Sequence, residues 1–366
     1  MAADEVRVQS THDGLRIGVI GAGDVAARDY LPEAGRLLGG RIVAIASTDG
    51  RRAEDLAARF GIRSHYAGAD SLIQSGDVDA IVNLTPQSRH HAINLAAVSA
   101  GLHVYSEKPV ATTADEARQL RDAATRAGLV VVAAPSVLVF PQVLQAARLL
   151  SEDTIGAVRS ATAQFLGGRP PWDGYESDPS PFFAAGSGPL VDIGVYPLHA
   201  LTGLLGPVEL VSAISARTQQ SFVQPPSPTS VGRTVPVEVD DVWHVLMRHV
   251  GGALSTVRSD FATHGSTASP DVEINGDCGS IALSLMDMQA PVRLWSGAES
   301  TALPSHGVRL EGPDHILGVQ HLIDCIAGAP PMLTVDHAAH VLEILDATAV
   351  SSRTGHQVSM RVPGWT

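Results

Sequence analysis

The sequence predicts an α/β protein in two parts: a doubly wound parallel sheet first, then an α+β part with an open, largely antiparallel sheet. Three features carry this expectation. Between Arg16 and Ala134, short apolar runs alternate with helical patterns. A glycine-rich turn follows the first apolar run directly. Past Pro135, strand-like runs succeed one another across short polar turns, which is the grammar of antiparallel pairing.

In the first part, strands are expected at 16–20, 42–46, 80–83, 103–106 and 130–134, with helices at 51–60, 91–100 and 114–127. Thr113 followed by Glu116 gives the last helix a capping-box start. Apolar strands joined through helices predict a sheet covered on both faces. This part spans 15–135, behind a polar, acidic lead-in, 1–14, read as flexible.

The second part spans 136–366. A helix is expected at 141–151, a strand at 158–165 and a long Gly/Pro-rich loop at 167–189. A helix near 197–205 follows, then strands at 208–217, 242–248, 254–261, 272–275 and 281–285. The proline-rich stretch 221–236 reads as an exposed excursion, and helices at 316–327 and 336–352 close the chain. One-sided apolar strands need cover, so a homodimer, or a homotetramer built from dimers, is expected through strands 208–285.

Composition narrows the function. A chain of 366 residues, 45% hydrophobic and 17% charged, fills more than one ordinary core and is not globally disordered. A net charge of −13 repels phosphate backbones and anionic membranes, so neither nucleic acid nor a membrane surface is expected as a partner. Cys278 and Cys325 stand alone, without a CxxC pattern, which excludes a disulfide framework or a cysteine zinc site. No run reaches membrane-spanning length; the apolar stretch 129–140 is short and broken by Pro135. The expected compartment is the reducing cytoplasm.

Gly21-Ala22-Gly23-Asp24-Val25-Ala26 fits the dinucleotide fingerprint of a Rossmann domain, with Ala26 as the third small residue. Gly21 permits the tight turn, and Gly23 lets the backbone approach a pyrophosphate. Ala26 lets the helix pack on the strand while its first amides face the anion. At the end of the second strand, Ser47 and Thr48 stand where an acidic residue would hold the ribose hydroxyls of NAD. Asp49, Arg51 and Arg52 follow. A hydroxyl beside guanidinium groups accommodates a ribose phosphate, so NADP is favoured over NAD. Both arginines read equally well as solvated residues at a helix start.

Glu107-Lys108-Pro109 ends the fifth strand at the carboxyl edge, where open α/β sheets bind ligands. A lysine there can hydrogen-bond a substrate hydroxyl and stabilise a developing alkoxide. Glu107 reads equally well as half of a surface ion pair. Leu84-Thr85-Pro86-Gln87 ends another strand at the same crevice.

Thr85-Pro86-Gln87 with His90, then Glu107-Lys108-Pro109, then Gly188-Pro189-Leu190-Val191-Asp192-Ile193-Gly194-Val195-Tyr196 occur in order behind the glycine loop. Together they resemble the glucose–fructose oxidoreductase / inositol dehydrogenase (Gfo/Idh/MocA) family over nearly the whole chain. The resemblance implies a dinucleotide-binding domain and a sheet domain often used for dimerisation. It also implies reversible hydride transfer at a carbinol or keto carbon of a sugar, cyclitol or related diol. By position, Lys108 is the lysine of the EKP motif and Asp192 the acid that orients it. Tyr196 holds the next catalytic place, which is histidine in many members, so the chain resembles the tyrosine-containing subset. Thr85, Pro86, His90, Glu107 and Lys108 are expected to face the nucleotide. His199 is expected at the substrate, although many relatives carry aspartate there.

The chemistry agrees with these residues. An alcohol that loses hydride must also lose a proton, and a phenol of pKa about 10 accepts it once a nearby ammonium favours phenolate. Asp192–Tyr196 also reads as a helix-start aspartate with a core tyrosine one turn later. Trp172 and Tyr175 are placed to stack on a sugar face or to anchor their loop. His337 with His340, and His90 with His91, lack a third ligand at metal spacing, so no metal is expected. Gly186-Ser187-Gly188 lacks the spacing of a nucleophile elbow. Two other functions fit the fold: a non-catalytic nucleotide-binding regulator, and redox-assisted glycoside cleavage. Lys108, Asp192 and Tyr196 together favour the enzyme over the regulator, which needs none of them.

Overall fold

The computed structural model describes residues 14–172, 178–224, 232–263, 271–307, 309 and 312–362. The lead-in before Gly14 and Tyr175 lie outside the described residues.

Six parallel strands form the first sheet: β1 (Leu15–Ile20), β2 (Gly40–Ser47), β3 (Ser64–Ala67), β4 (Ala80–Asn83), β5 (His103–Ser106) and β6 (Val131–Ala133), in the order β3-β2-β1-β4-β5-β6. The order reverses between β1 and β4, and that switch point is where such sheets open a binding crevice. All four residues of β4 are buried, as expected of a strand covered on both faces. Around the sheet lie α1 (Gly50–Phe60), α2 (Ala69–Ile73), α3 (His90–Ser99) and α4 (Ala114–Ala127). The edge strand β3 and the five-residue α2 were not expected. Ser-His-Tyr-Ala carries too little apolar character to signal a strand.

The local chemistry sets the helix ends. Asp49 caps α1 by accepting from the Arg51 and Arg52 amides, and Gly61 closes it in the left-handed conformation. At α4, Thr113 accepts from the Glu116 amide at 3.2 Å. The Glu116 carboxylate reaches Thr112 N and Oγ1, at 2.9 and 2.6 Å. The reciprocal half of the box is thus displaced by one residue.

A regular helix was expected after the glycine loop, and the structure corrects this. A π-helical turn (Ala26–Tyr30) runs into a 3-10 segment (Leu31–Arg36) with Pro32 in its first turn. Proline has no amide to continue an α ladder. Single π turns tend to mark functional sites. Here Asp29 and Tyr30 are both turned inward and buried.

Among the described residues the second sheet has nine strands: β7 (Val158–Phe165), β8 (Val208–Ala216), β11 (Val242–His249), β12 (Leu254–Asp260), β13 (Val272–Gly276), β14 (Ser280–Leu283), β15 (Val292–Ser296), β16 (Glu299–Leu303) and β17 (Val358–Ser359). Their order is β16-β15-β14-β13-β7-β12-β11-β8-β17, antiparallel except for the parallel β7–β12 pair. The stretch read as an excursion instead contains a ribbon of β9 (Ser221–Gln224) and β10 (Arg233–Pro236). Phe222 is buried, its ring 4.9 Å from that of Phe183. Alternate apolar residues, Phe222 and Val235, give the ribbon an inner face despite the prolines beyond it.

The helices of this part are α5 (Pro141–Ser151), α6 (Ser180–Phe183), α7 (Pro189–Asp192), α8 (Val195–Leu205), α9 (Ile316–Ile326) and α10 (Val335–Thr354). The short α6 and α7 interrupt the loop expected at 167–189. Residues Val195 to Thr202 of α8 are all buried, as a helix apolar on every side must be. The last two helices tie the parts together. Arg121 on α4 is 2.5 Å from Asp336 on α10, Arg118 pairs with Glu343, and the Ala133 amide donates to Leu333 O at 3.0 Å. Gly318 on α9 faces Tyr105 so closely that a Cβ there would lie 2.5 Å from its ring. Among the described residues no helix is long and apolar enough to cross a membrane.

Candidate active site

Three loops converge at the carboxyl edge of the parallel sheet. The first follows β1. Gly21 has φ +110°, and a Cβ there would lie 2.6 Å from Leu84 O on the loop after β4. Only glycine allows the two loops to approach this closely. A Cβ on Gly23, by contrast, would meet nothing within 4 Å, so its backbone faces open space. Ala26 is fully buried behind it. These features fit a dinucleotide's pyrophosphate lying across the turn.

At the ribose end, Ser47 Oγ accepts from the Asp49 amide at 3.2 Å, while the Asp49 carboxylate is engaged in capping α1. Thr48 is exposed. Arg52 reaches Asp24 Oδ1 at 3.1 Å across the mouth of the glycine turn.

The second loop is braced by amides. Asn83 Oδ1 accepts from Thr85 Oγ1 at 2.7 Å, and Asn83 Nδ2 donates to Asn94 Oδ1 at 2.8 Å. Buried His90 lies 2.7 Å from Pro109 O and 2.6 Å from Thr85 O. The ring thereby ties the second loop to the third.

The third loop carries Glu107 and Lys108. Glu107 is buried, with Oε1 accepting from Tyr30 Oη at 2.6 Å and Oε2 from the Lys108 amide at 2.8 Å. The surface ion-pair reading is corrected: the carboxylate's partner is an interior phenol. Burial and this carboxylate push the Tyr30 pKa well up, so the phenol stays a donor.

Lys108 Nζ donates to both Asp192 Oδ1 and Asp192 O, each at 2.6 Å. Asp192 ends α7, which is pinned to the sheet by Ser259 Oγ donating to Pro189 O at 2.9 Å. Lys108 Nζ lies over the Tyr196 ring, 5.7 Å from its centroid. Tyr196 stacks on Phe165 at 5.0 Å and 18°.

These groups line one cavity of about 620 Å³, a size suited to a small-molecule site. Val25, Thr85, Pro86, His90, Glu107, Lys108, Trp172, Asp192 and Tyr196 all reach it. Gly21, Gly23, Asp24, Ala26, Ser47, Thr48 and Arg52 are not among its lining. Trp172 both lines the cavity and meets Phe182 edge-on at 5.3 Å, so lining and anchoring coincide.

The expected substrate contact of His199 is corrected. It is buried outside this lining, its ring 4.7 Å from that of His337. Burial pushes its pKa well down. Position 199 faces α10 instead of the cavity. His337 and His340 are also interior: His337 Nε2 is 2.6 Å from Thr202 Oγ1, and His340 Nε2 accepts from the Val208 amide at 2.9 Å.

Sequence reasoning missed Asp29, Arg309 and His315, which also line the cavity. Arg309 Nη2 bonds Asp29 Oδ1 at 2.8 Å, joining the two parts of the chain across 280 residues. No local pattern announces such a pair.

Comparison with known proteins finds relatives of both parts of the chain. The oxidoreductase family with an NAD-binding Rossmann fold (Gfo/Idh/MocA) matches residues 15–134, and the Gfo/Idh/MocA C-terminal domain matches residues 143–282. A dTDP-3,4-didehydro-2,6-dideoxy-alpha-D-glucose 3-reductase from Actinomadura kijaniata is 37% identical over 205 residues, 55% of this chain and 59% of that protein. The chain thus spans about three fifths of the length of such reductases. The D-glucoside 3-dehydrogenase of Escherichia coli (strain K12) is 24% identical over 356 residues, 96% of this chain and 99% of that protein. The solved oxidoreductase domain protein from Kribbella flavida has a TM-score of 0.79 at 26% identity, covering 96% of this chain and 99% of that one. With both halves matched in order, the chain belongs to the Gfo/Idh/MocA oxidoreductase family.

Proposed function

We propose that this protein is a nicotinamide-nucleotide-dependent oxidoreductase acting on a carbinol or keto carbon of a sugar, cyclitol or related diol. The observation that carries the reading is Lys108, held by Asp192 in a cavity that opens beside the glycine turn. An ammonium has three donors, and two are committed to Asp192. One N–H remains for a substrate oxygen, where it stabilises the alkoxide that oxidation develops. Tyr196, stacked and fixed, serves as the group that takes or gives the hydroxyl proton. When bound, the nucleotide supplies the hydride acceptor or donor. Phe165, Trp172 and Phe182 form an apolar wall that excludes water from the reacting carbon.

NADP is favoured over NAD. Asp49 is occupied with capping and Arg52 is paired with Asp24, which leaves Ser47 and Arg51 to meet the ribose end. The activities that name these two relatives both fall at position 3 of a hexose ring, and a ring carbon of that kind is the first substrate to try. Two free cysteines suit a reducing, cytoplasmic setting.

The test follows nicotinamide absorbance with each nucleotide across pyranosides, cyclitols and aromatic diols. Net formation of reduced nucleotide supports the reading. Tight nucleotide binding without turnover marks a regulator, and glycoside cleavage without net reduction marks the redox-assisted lyase.

A further inference from the structure

A buried imidazole stands beside this site with nothing to hold its inner nitrogen. His315 precedes α9 and keeps part of its side chain on the cavity, yet its Nδ1 is sealed from solvent without a hydrogen-bond partner. Glu107 Oε1 lies 4.0 Å away, just past bonding distance. The ring sits between two phenols, 5.6 Å from the Tyr30 centroid and 6.2 Å from that of Tyr196.

Behind Glu107 the polar groups are joined in series. Tyr30 Oη bonds Glu107, Tyr105 Oη is 3.0 Å from Tyr30 Oη, and Ser136 Oγ is 3.1 Å from Tyr105 Oη. Ser136 Oγ also donates to His315 O at 3.2 Å, so the series returns to the histidine's own backbone. Buried polar atoms are normally paired. The open place in this ring of contacts is the gap between His315 Nδ1 and Glu107 Oε1. The charges facing the imidazole come as two opposed pairs, Glu107 with Lys108 and Asp29 with Arg309. Burial prevails over them and lowers the pKa of the imidazole, leaving it neutral at pH 7.

We propose that His315 is a proton-transfer residue of this site, its Nδ1–H aimed at Glu107 and its Nε2 serving as base for the cavity. The proposal rests on the oxidoreductase reading. In oxidation, the carbinol C–H leaves with its electron pair to the nicotinamide nucleotide, and the O–H proton leaves separately. Tyr196 receives that proton as it passes its own to His315 Nε2. The product is a carbonyl, a reduced nucleotide and an imidazolium facing the Glu107 carboxylate. Reduction runs the same transfers in reverse.

Two measurements test this. Nitrogen NMR on the resting wild type, with the signal assigned by its loss in His315→Phe, is expected to place the proton on Nδ1. The resonance should shift in Glu107→Gln. Kinetically, His315→Phe keeps a ring between the two tyrosines and removes both nitrogens. Nucleotide affinity should stay within about twofold while turnover falls about 10²-fold. Oxidation requires the neutral imidazole, so the wild-type rate should fall on the acid side, below pH 6.5, and the variant should lose that limb. If His315→Phe does not fold, His315→Gln serves in the same comparison. A proton resident on Nε2, or a variant that keeps wild-type turnover and the acid limb, overturns the proposal. A wild type that binds no nicotinamide nucleotide overturns the oxidoreductase reading and the proposal with it. A wild type that turns over beside an unaffected variant overturns the role of His315 alone.

Discussion

Lys108 is the residue on which most of the proposed chemistry turns, because its ammonium meets Asp192 twice and overlooks the Tyr196 ring. Tyr196→Phe keeps the stack on Phe165 and removes the hydroxyl. Turnover should drop by about 10²–10⁴-fold, the usual contribution of a general acid–base group, while nucleotide titration is unchanged. Lys108→Met should cost at least as much. Together the two should lose far less than the product of the single effects, since groups acting as a unit are non-additive. Wild-type turnover by Tyr196→Phe, with the same pH profile, would leave Tyr196 a packing residue. At the other end of the nucleotide, Ser47→Asp places a carboxylate where a ribose phosphate would lie. It should invert a preference for NADP, read by titrating both nucleotides against both proteins; a wild type that prefers NAD defeats that assignment. Lys108 and Asp192 were legible because each sits in a short contiguous motif. The partner of Glu107 was not, because Tyr30 reaches it through a π turn that no periodicity announces. His199 misled because a position in a motif says nothing about which side of a helix faces the cavity.

At the level of elements, the strands and helices with strong apolar periodicity were readable almost to their ends, as with α4 and α5. What escaped was short or polar: β3, α2 and the outer strands β15 and β16. All five residues of β16 are exposed or only half-buried. The docking of α9 was equally hidden. Gly318→Ala would drive a Cβ into Tyr105 and Ser136, an overpacking that costs roughly 1–3 kcal/mol. A urea titration should show that loss, with activity falling too, because Tyr105 belongs to the series that holds Glu107; an unchanged midpoint contradicts the tight approach.

The α8–α10 contact makes a second prediction. Burial first, and His340 second, lower the His337 pKa to about 3; for His340, burial and His249 lower it to about 4. An unfolded histidine titrates near 6.5. The unfolded chain therefore takes up protons first as pH falls. Stability is full above about pH 6.5 and is lost toward about pH 4 and then 3, at up to roughly 1.4 kcal/mol per pH unit for each histidine. The urea midpoint should fall between pH 7 and 5, and His199→Leu should flatten the slope. A midpoint independent of pH over that range rules this out.

For the whole molecule, the outer face of the nine-stranded sheet is the surface that asks for a partner. Ile214 on β8, Leu246 on β11 and Leu254 on β12 are 78%, 56% and 57% exposed. These strands are neighbours. Pairing of two copies on this face is the expected cover, and Leu246→Lys should shift light scattering from dimer toward monomer; a wild type that scatters as a monomer dismisses it. The two-part architecture itself was legible, since the change from helix-linked to turn-linked strands near Pro135 is a change of pattern. That α9 and α10 return to brace the first part was not, because nothing local encodes a contact across two hundred residues. The proposed oxidation or reduction of a ring carbon through Lys108, in the cavity beside the glycine turn, underlies the expectations for turnover. The measurement that meets it most directly is nicotinamide absorbance with a panel of pyranosides and cyclitols, run in parallel on the wild type and Lys108→Met. Net, stoichiometric reduced nucleotide is expected with the wild type and almost none with the variant. Equal rates in the two proteins, or tight binding with no net reduction by either, would contradict it.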